Sequence, residues 1–241
     1  SSPFEVIECN HRLTYNFLQL AKRQKKKPRF IYSSTSEVYA GTLAEGLLVV
    51  PSPETSQIIL PSIAQARTSY MLSKLNGEAL CAYSGIPFTI IRPHNIYGPR
   101  MGMRHVIPEL LERAYNTKDN KLMVFSPTHT RTFCYVNDAV EMIFSLMKSE
   151  AAENQTFNIG NETPEITMSD LAEIIIAQVQ KPIILQHGED TAGSPARRAP
   201  NMEKYTKNIG NIKHTSLHEG INKTFQWYLK NNFQQSKTTS N

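Results

Sequence analysis

Three segments in a fixed order constrain this chain more than any other feature of its sequence. A hydroxyl-rich turn, Ser33–Tyr39, follows a short apolar stretch. Tyr70 and Lys74 then lie four residues apart in a segment with helical spacing, and a polar loop, Arg92–Pro99, ends a second apolar stretch. Because ligands of open α/β sheets bind beyond the carboxyl ends of the strands, this order predicts a ligand site at the ends of two neighbouring strands.

Apolar stretches alternate with amphipathic segments along most of the chain, which predicts an α/β fold with a parallel sheet. The expected helices are Pro3–Lys22, Tyr70–Tyr83, His105–Tyr115, Asp138–Lys148 and two that begin at the capping residues Thr167 and Ser216. The expected strands are Arg29–Tyr32, Pro87–Ile91, Leu122–Phe125, Thr132–Val136, Thr156–Gly160 and Pro182–Leu185. Residues 40–68 are expected to form an irregular loop, and the polar tail from Gln234 is expected to be disordered.

Composition excludes several classes of protein. The 241 residues are 40% apolar and carry a formal charge of +5, but they contain no apolar run of about eighteen residues, so we expect no membrane span. The basic run Lys22–Pro28 lacks interleaved aromatic residues and is interpreted as a solvated helix end, so we expect no nucleic-acid partner. Three widely spaced cysteines indicate reduced thiols in a cytoplasmic protein, with no metal site. No secretory leader is visible at Ser1.

Tyr70 and Lys74 have the spacing of residues on one face of a helix. An ammonium group beside a phenol favours the phenolate, which is the form that a base needs near neutral pH. A Tyr-x-x-x-Lys pair alone is more often an ordinary surface tyrosine and a solvated lysine. Here the pair lies between the turn at Ser33–Tyr39 and the loop at Arg92–Pro99, and this ordered context favours the catalytic interpretation.

The ordered segments together resemble the NAD-dependent epimerase/dehydratase family, the extended short-chain dehydrogenase/reductases that act on nucleotide sugars. The resemblance runs to about the helix of Trp227. It implies a partial Rossmann-like, doubly wound parallel sheet with a smaller C-terminal substrate-binding lobe, bound NAD, a nucleotide-sugar substrate with a UDP-sugar favoured, and a possible homodimer.

By this resemblance, residues 1–100 form the C-terminal part of the NAD-binding domain. Residues 101–233 form mainly the nucleotide-sugar lobe, with 132–160 returning to the sheet, and 234–241 are the tail. No Gly-x-x-Gly-x-x-Gly turn occurs in the 241 residues. We therefore expect two to three βα units to be missing ahead of Ser1, at roughly 30 residues per βαβ unit.

The resemblance also implies roles for individual residues. Tyr70 would be the base for a sugar hydroxyl, Lys74 would hold the nicotinamide ribose, and Thr35 would bind the reacting oxygen. Glu37 is a further catalytic candidate, although it equally suits a structural carboxylate in its turn. The expected cofactor-binding residues are Ser33, Ser34, Tyr70, Lys74, Pro93 and His94, of which His94 alone is more often a satisfied structural histidine.

The substrate-binding residues implied by the resemblance are Asn95, His105, Val106, Phe125, Arg131 and Arg198. The planar guanidinium groups of Arg131 and Arg198 suit bidentate contacts with diphosphate oxygens, although either could be a plain surface arginine. Phe125 is the weakest candidate, because an aromatic residue in a short strand usually belongs to a core.

The leading functional hypothesis is a nucleotide-sugar epimerase that works through a transient 4-keto sugar. The close alternative is a UDP-glucuronate-type decarboxylase, which the Thr35–Tyr39 turn resembles. Dehydration is disfavoured, because Ser36 stands where the related dehydratases have an aspartate as acid. A hypothesis of another class is a non-catalytic, truncated module that binds nucleotide sugars.

Overall fold

The structure, a computed structural model, describes residues 2–233, which form two compact units. Of the described residues, the first unit comprises 2–94, 140–162 and 200–212. The second comprises 95–139, 163–199 and 213–233. The predicted tail from Gln234 lies outside the described residues, and the division predicted at residue 100 stays a prediction.

Helices and strands are interspersed along the chain, as predicted for an α/β fold. The helices are α1 (Pro3–Lys22), α2 (Ala40–Ala44), α3 (Thr68–Ala82), α4 (Val106–Asn116), α5 (Val136–Lys148), α6 (Met168–Val179), α7 (Glu203–Asn208) and α8 (Leu217–Tyr228). The strands are β1 (Phe30–Ser33), β2 (Phe88–Pro93), β3 (Ile96–Tyr97), β4 (Lys121–Val124), β5 (Thr130–Arg131), β6 (Cys134–Tyr135), β7 (Gln155–Ile159), β8 (Ile166–Thr167), β9 (Ile184–His187) and β10 (Arg197–Arg198). Among residues 2–233 no helix combines the length and apolar character needed to cross a membrane.

The first unit is built on a parallel sheet in the order β1-β2-β7. Residues 89–92 of the central strand β2 are buried, as expected for a strand paired on both edges. Helices α1 and α3 pack together beside this sheet, and their core includes Leu18, Tyr32, Cys81 and Ile90. The α/β class with parallel strands is therefore confirmed.

Close packing of α3 on β1 depends on Gly77. A Cβ atom at this position would lie 1.9 Å from the Tyr32 hydroxyl oxygen, so a side chain would push the helix off the strand. Because Tyr70 and Lys74 lie on the same helix, this contact helps to set their distance from the end of β1.

The second unit contains three small sheets, in the orders β10-β5-β8, β3-β6 and β4-β9. Helices α4, α6 and α8 enclose its core, which includes Leu111, Leu171 and Ile221. Thr167 caps α6 as predicted, since its side chain accepts from the Asp170 amide and the Asp170 carboxylate accepts from the Thr167 amide.

Two details of the expected secondary structure were wrong. Residues 40–68 are not wholly irregular, because α2 follows a short 3-10 helix at Ser36–Tyr39. The expected strand Thr132–Val136 shortens to β6, since α5 already begins at Val136. Helix α2 has only five residues, too few for a periodicity argument, which needs about 11 to 18.

Candidate functional site

Tyr70 and Lys74 lie one turn apart on α3, beside the carboxyl end of β1. Tyr70 is 41% exposed, and the Lys74 Nζ atom lies 5.8 Å from the centre of the Tyr70 ring. Lys74 donates a hydrogen bond of 3.0 Å to the Ser33 carbonyl, and burial lowers the pKa of its ammonium group. The lysine is thus anchored to the strand end with its charge next to the phenol.

Thr35 and Glu37 stand in the turn that follows β1. The Thr35 Oγ1 atom caps the 3-10 helix by accepting from the Glu37 amide at 3.2 Å, which leaves its own proton able to reach another oxygen. The Glu37 carboxylate pairs with Arg67, whose Nη2 atom lies 2.5 Å from Oε2. Arg67 directly precedes α3, three residues before Tyr70, and sequence reasoning did not select it.

A buried network of hydrogen bonds joins Ser34 and Tyr39, which flank this turn, to Glu78 and Arg92. The Glu78 carboxylate accepts from Arg92 Nε at 3.0 Å, from Arg92 Nη2 at 2.7 Å and from the Ser34 hydroxyl at 2.5 Å. Arg92 Nη1 also donates to the Tyr39 hydroxyl at 2.8 Å. Burial acts to lower the pKa of Arg92, but its contacts with Glu78 and Tyr39 outweigh burial and raise it. The guanidinium therefore stays charged and ties β2 to α3.

The other predicted cofactor residues are placed differently. Ser33 contacts Lys74 through its carbonyl, whereas the Ser34 side chain turns inward to Glu78. His94 is only 2% exposed, with its Nε2 atom 3.0 Å from Asn158 Oδ1. Pro93 ends β2. Their contacts with a cofactor stay predictions.

In the second unit, a pocket of about 290 Å³ opens between α4 and the loop after β4. Four of the predicted substrate residues line it, namely Asn95, Val106, Phe125 and Arg131. Sequence reasoning missed Glu109, Arg113, Ser126, Thr191 and Ser194, which also line it. Phe125 is 54% exposed, so the structure does not support the core interpretation of this residue. His105 precedes α4 and does not line this pocket.

Strand pairing brings the two predicted arginines together. In the parallel pair of β5 and β10, Arg131 is the register partner of Arg198, and Thr130 is that of Arg197. Side chains alternate along a strand, so Arg131 and Arg198 share one face while Arg197 points to the other, where it pairs with Glu165 at 2.7 Å. Burial and the charge of Arg198 lower the pKa of Arg131 to about 10. An anion between the two guanidinium groups would relieve this repulsion.

The fold also gathers Cys134, Asp138 and His214, whose potential ligand atoms lie within 4.8 Å of one another. Sequence spacing could not reveal this group, because His214 is distant in the chain. The Asp138 carboxylate already accepts two hydrogen bonds of 2.7 Å from Thr215. Burial, and then the Asp138 charge, raise the pKa of Cys134 to about 12, so the thiol is protonated. The expectation of no metal stays a prediction.

Comparison with known proteins identifies the family. The model of the NAD dependent epimerase/dehydratase family matches residues 1–160. A UDP-N-acetyl-alpha-D-glucosaminuronate decarboxylase of Bacillus cytotoxicus is 33% identical over 239 residues, covering 93% of this chain and 70% of the relative. UDP-glucuronic acid decarboxylase 3 of Arabidopsis thaliana is 33% identical over 227 residues, covering 91% of this chain and 63% of the relative. The chain belongs to the NAD-dependent epimerase/dehydratase family.

A solved structure supports the fold independently of these sequences. The UDP-glucose 4-epimerase of Thermotoga maritima, with UDP-glucose, superimposes with a TM-score of 0.76 at 22% identity, covering 95% of this chain and 74% of that one. The Rossmann-like fold expected from the sequence is confirmed. The curated relatives at 33% identity are decarboxylases, so the choice of epimerase over decarboxylase made from sequence is not confirmed.

Proposed function

We propose that this chain carries the C4-oxidising centre and the nucleotide-sugar site of an enzyme that decarboxylates a UDP-uronic acid. The observation that carries the proposal is the position of the Lys74 ammonium group, 5.8 Å from the centre of the Tyr70 ring and anchored on the Ser33 carbonyl. The decarboxylases named above support this choice of reaction.

The residues present fit the nicotinamide-ribose end of NAD. Lys74 uses one of its three N–H donors on Ser33, so others can reach ribose hydroxyls. When bound, NAD would accept a hydride from C4 of the sugar and later return one. The glycine-rich turn that holds the diphosphate of such cofactors does not occur among the 241 residues.

The residues of the first unit would move the proton that accompanies this hydride. Thr35 would orient the C4 hydroxyl oxygen, and Tyr70 would act as the base that takes its proton, leaving a 4-keto sugar. A 4-keto uronic acid is a β-keto acid. Its C5–C6 bond can therefore break with loss of CO₂, while the electron pair moves into the C4 carbonyl as an enolate. Protonation at C5 then regenerates the ketone for reduction at C4.

The pair of Glu37 and Arg67 supports a uronic acid as substrate. Arg67 is 65% exposed, lies three residues before the proposed base and contacts Glu37 through its Nε and Nη2 groups. Its Nη1 group can still donate to a carboxylate on the sugar.

Epimerisation at C4, the leading hypothesis from the sequence, remains the second candidate. It begins with the same oxidation at C4, in which Tyr70 would take the proton and NAD would accept the hydride, so the distinction lies in the fate of the 4-keto intermediate. A homodimer also stays a proposal, supported by exposed aromatic side chains on the paired helices α1 and α3, such as Tyr15, and by Tyr83 at the end of α3.

Product analysis tests the proposal. The purified chain is incubated with NAD and UDP-glucuronate labelled with ¹³C at C6, and the products are followed by NMR. We expect labelled CO₂ and a UDP-pentose. A C4 epimer that keeps its label would identify an epimerase instead. Binding of UDP-glucuronate without conversion, even with saturating NAD, would favour a binding module.

Arg131→Ala should weaken binding of UDP by about 10- to 150-fold, because a hydrogen bond to a charged group contributes about 1.5–3 kcal/mol. Isothermal titration calorimetry measures the dissociation constant. Arg197→Ala is the matched control, since Arg197 points to the opposite face and pairs with Glu165. If the two variants bind UDP with equal affinity, Arg131 is not part of the anion site.

A further inference from the structure

One wall of the pocket in the second unit is formed by residues 188–196, which we call the strap. The strap follows β9 and is held along the loop between β4 and β5 by backbone hydrogen bonds. Gly188 donates to the Val124 carbonyl at 2.8 Å, and Ser126 donates to the Glu189 carbonyl at 3.1 Å. At the other end of the strap, the Thr130 amide donates to the Ala196 carbonyl at 2.8 Å. The strap is therefore anchored at both ends.

The strap lies directly against the pocket wall. A Cβ atom on Gly188 would come within 2.8 Å of the Phe125 ring, so the glycine allows the strap to pass over this aromatic residue. Thr191 and Ser194 are the strap residues that line the pocket.

Ser194 and Pro195 hold the guanidinium of Arg131. The Arg131 Nη2 group donates to the Ser194 Oγ atom at 3.1 Å and to the Pro195 carbonyl at 2.6 Å, while Nη1 donates to the Thr130 carbonyl at 2.7 Å. Three of the five N–H groups of this arginine thus contact the protein itself. The guanidinium is fixed in direction, with donors left for a ligand.

One imidazole connects Ser194 to the start of the strap. The His129 Nδ1 atom lies 3.4 Å from Ser194 Oγ, and its Nε2 atom lies 3.6 Å from Asp190 Oδ2. His129 is only 8% exposed. With the imidazole proton on Nε2, facing Asp190, the Ser194 hydroxyl can donate to Nδ1 and its oxygen can accept from Arg131. The contacts form a directed chain from Arg131 through Ser194 and His129 to Asp190.

We propose that Ser194 is a positioning residue, oriented by His129 and Asp190, which aims Arg131 at a phosphate oxygen of the nucleotide. This inference rests on the proposed function, in which Arg131 binds the diphosphate of a UDP-sugar. A free arginine side chain loses rotamer entropy when it is fixed. When the strap already holds the guanidinium, much of this rotamer entropy is lost before the ligand binds, so binding itself loses less.

The effect should depend on the phosphate groups of the ligand. Ser194→Ala should weaken UDP binding about fivefold, because the variant loses the orientation of Arg131 but keeps the guanidinium that contacts the phosphate. Binding of uridine, which has no phosphate, should not change. Ser194→Thr keeps the hydroxyl and should restore most of the affinity for UDP.

Calorimetric titration of the full chain with UDP and with uridine tests the inference. Ser169→Ala is the matched control, because Ser169 also pairs with a histidine, His187 at 2.9 Å, but is only partly buried and has no contact with Arg131 in the structure. A selective loss of UDP affinity in Ser194→Ala, with rescue by Ser194→Thr, supports the positioning role.

Three other results would overturn the inference. Tighter UDP binding by Ser194→Ala would mean that the serine competes with the ligand for Arg131. Unchanged UDP binding would mean that the serine does not orient the arginine, and an equal loss for UDP and uridine would indicate a general distortion of the pocket. Arg131→Ala separates the two proposals: if it weakens UDP binding while Ser194→Ala does not, only the positioning role fails.

Discussion

Tyr70→Phe should lower the turnover of a UDP-uronic acid by about 10²- to 10⁴-fold, the range attributed to one positioned acid–base group. The substitution removes only the hydroxyl that we propose exchanges a proton with the sugar. It keeps the ring, which the Lys74 ammonium group faces at 5.8 Å. The dissociation constant for the UDP-sugar should therefore stay nearly unchanged. Single-turnover kinetics with bound NAD, combined with calorimetry, separates the two quantities.

Tyr83→Phe is the matched control for this variant. Tyr83 stands at the other end of α3 and is 90% exposed, so loss of its hydroxyl should leave turnover as it is. Turnover retained by Tyr70→Phe would refute the role of Tyr70 as base. A parallel loss of substrate affinity would show that the hydroxyl contributes to binding as well.

Glu78→Ala should reduce the free energy of unfolding by about 3–5 kcal/mol, because it leaves the charge of Arg92 buried without its carboxylate. The two side chains are 12% and 6% exposed, so water cannot replace the lost partner. Ser34, next to the proposed catalytic turn, loses its hydrogen-bond acceptor at the same time. Urea denaturation followed by circular dichroism measures the change.

An exposed ion pair provides the comparison for this stability effect. Glu203→Ala breaks the contact with Lys207 on α7, where both side chains are in solvent and the pair contributes little. If the two variants unfolded at the same urea concentration, the buried pair would not be a main support of the first unit. A larger loss for Glu78→Ala, with little change in the slope of the transition, is the expected result.

Sequence reasoning identified the family and the α/β fold, because these depend on local patterns. Helical spacing located α1 and α3, and residue types around Tyr70 located the ends of β1 and β2. It also selected four of the residues that line the pocket of the second unit. The motifs of a family identify such binding residues even before the fold is known.

The supporting residues could not be found in the same way. Arg67 pairs with Glu37 across 30 positions of sequence, and Ser194 contacts Arg131 across 63. Neither lies within a motif, and the propensity of a single serine or arginine does not indicate its partner. Contacts of this kind follow from the path of loops in three dimensions, which periodicity does not determine.

The sheet of the first unit has a consequence for how the protein can be divided. Its three strands come from residues 30–33, 88–93 and 155–159, and Asn158 on the last strand donates to the carbonyl of Asn201. Continuous pieces such as residues 1–94 therefore lack the third strand, and central strand β2 would keep β1 but lose its pairing partner on the other edge. Recombination of this unit with that of a relative requires exchange of three separate stretches of the gene, whereas a single crossover would leave a sheet with mismatched strands.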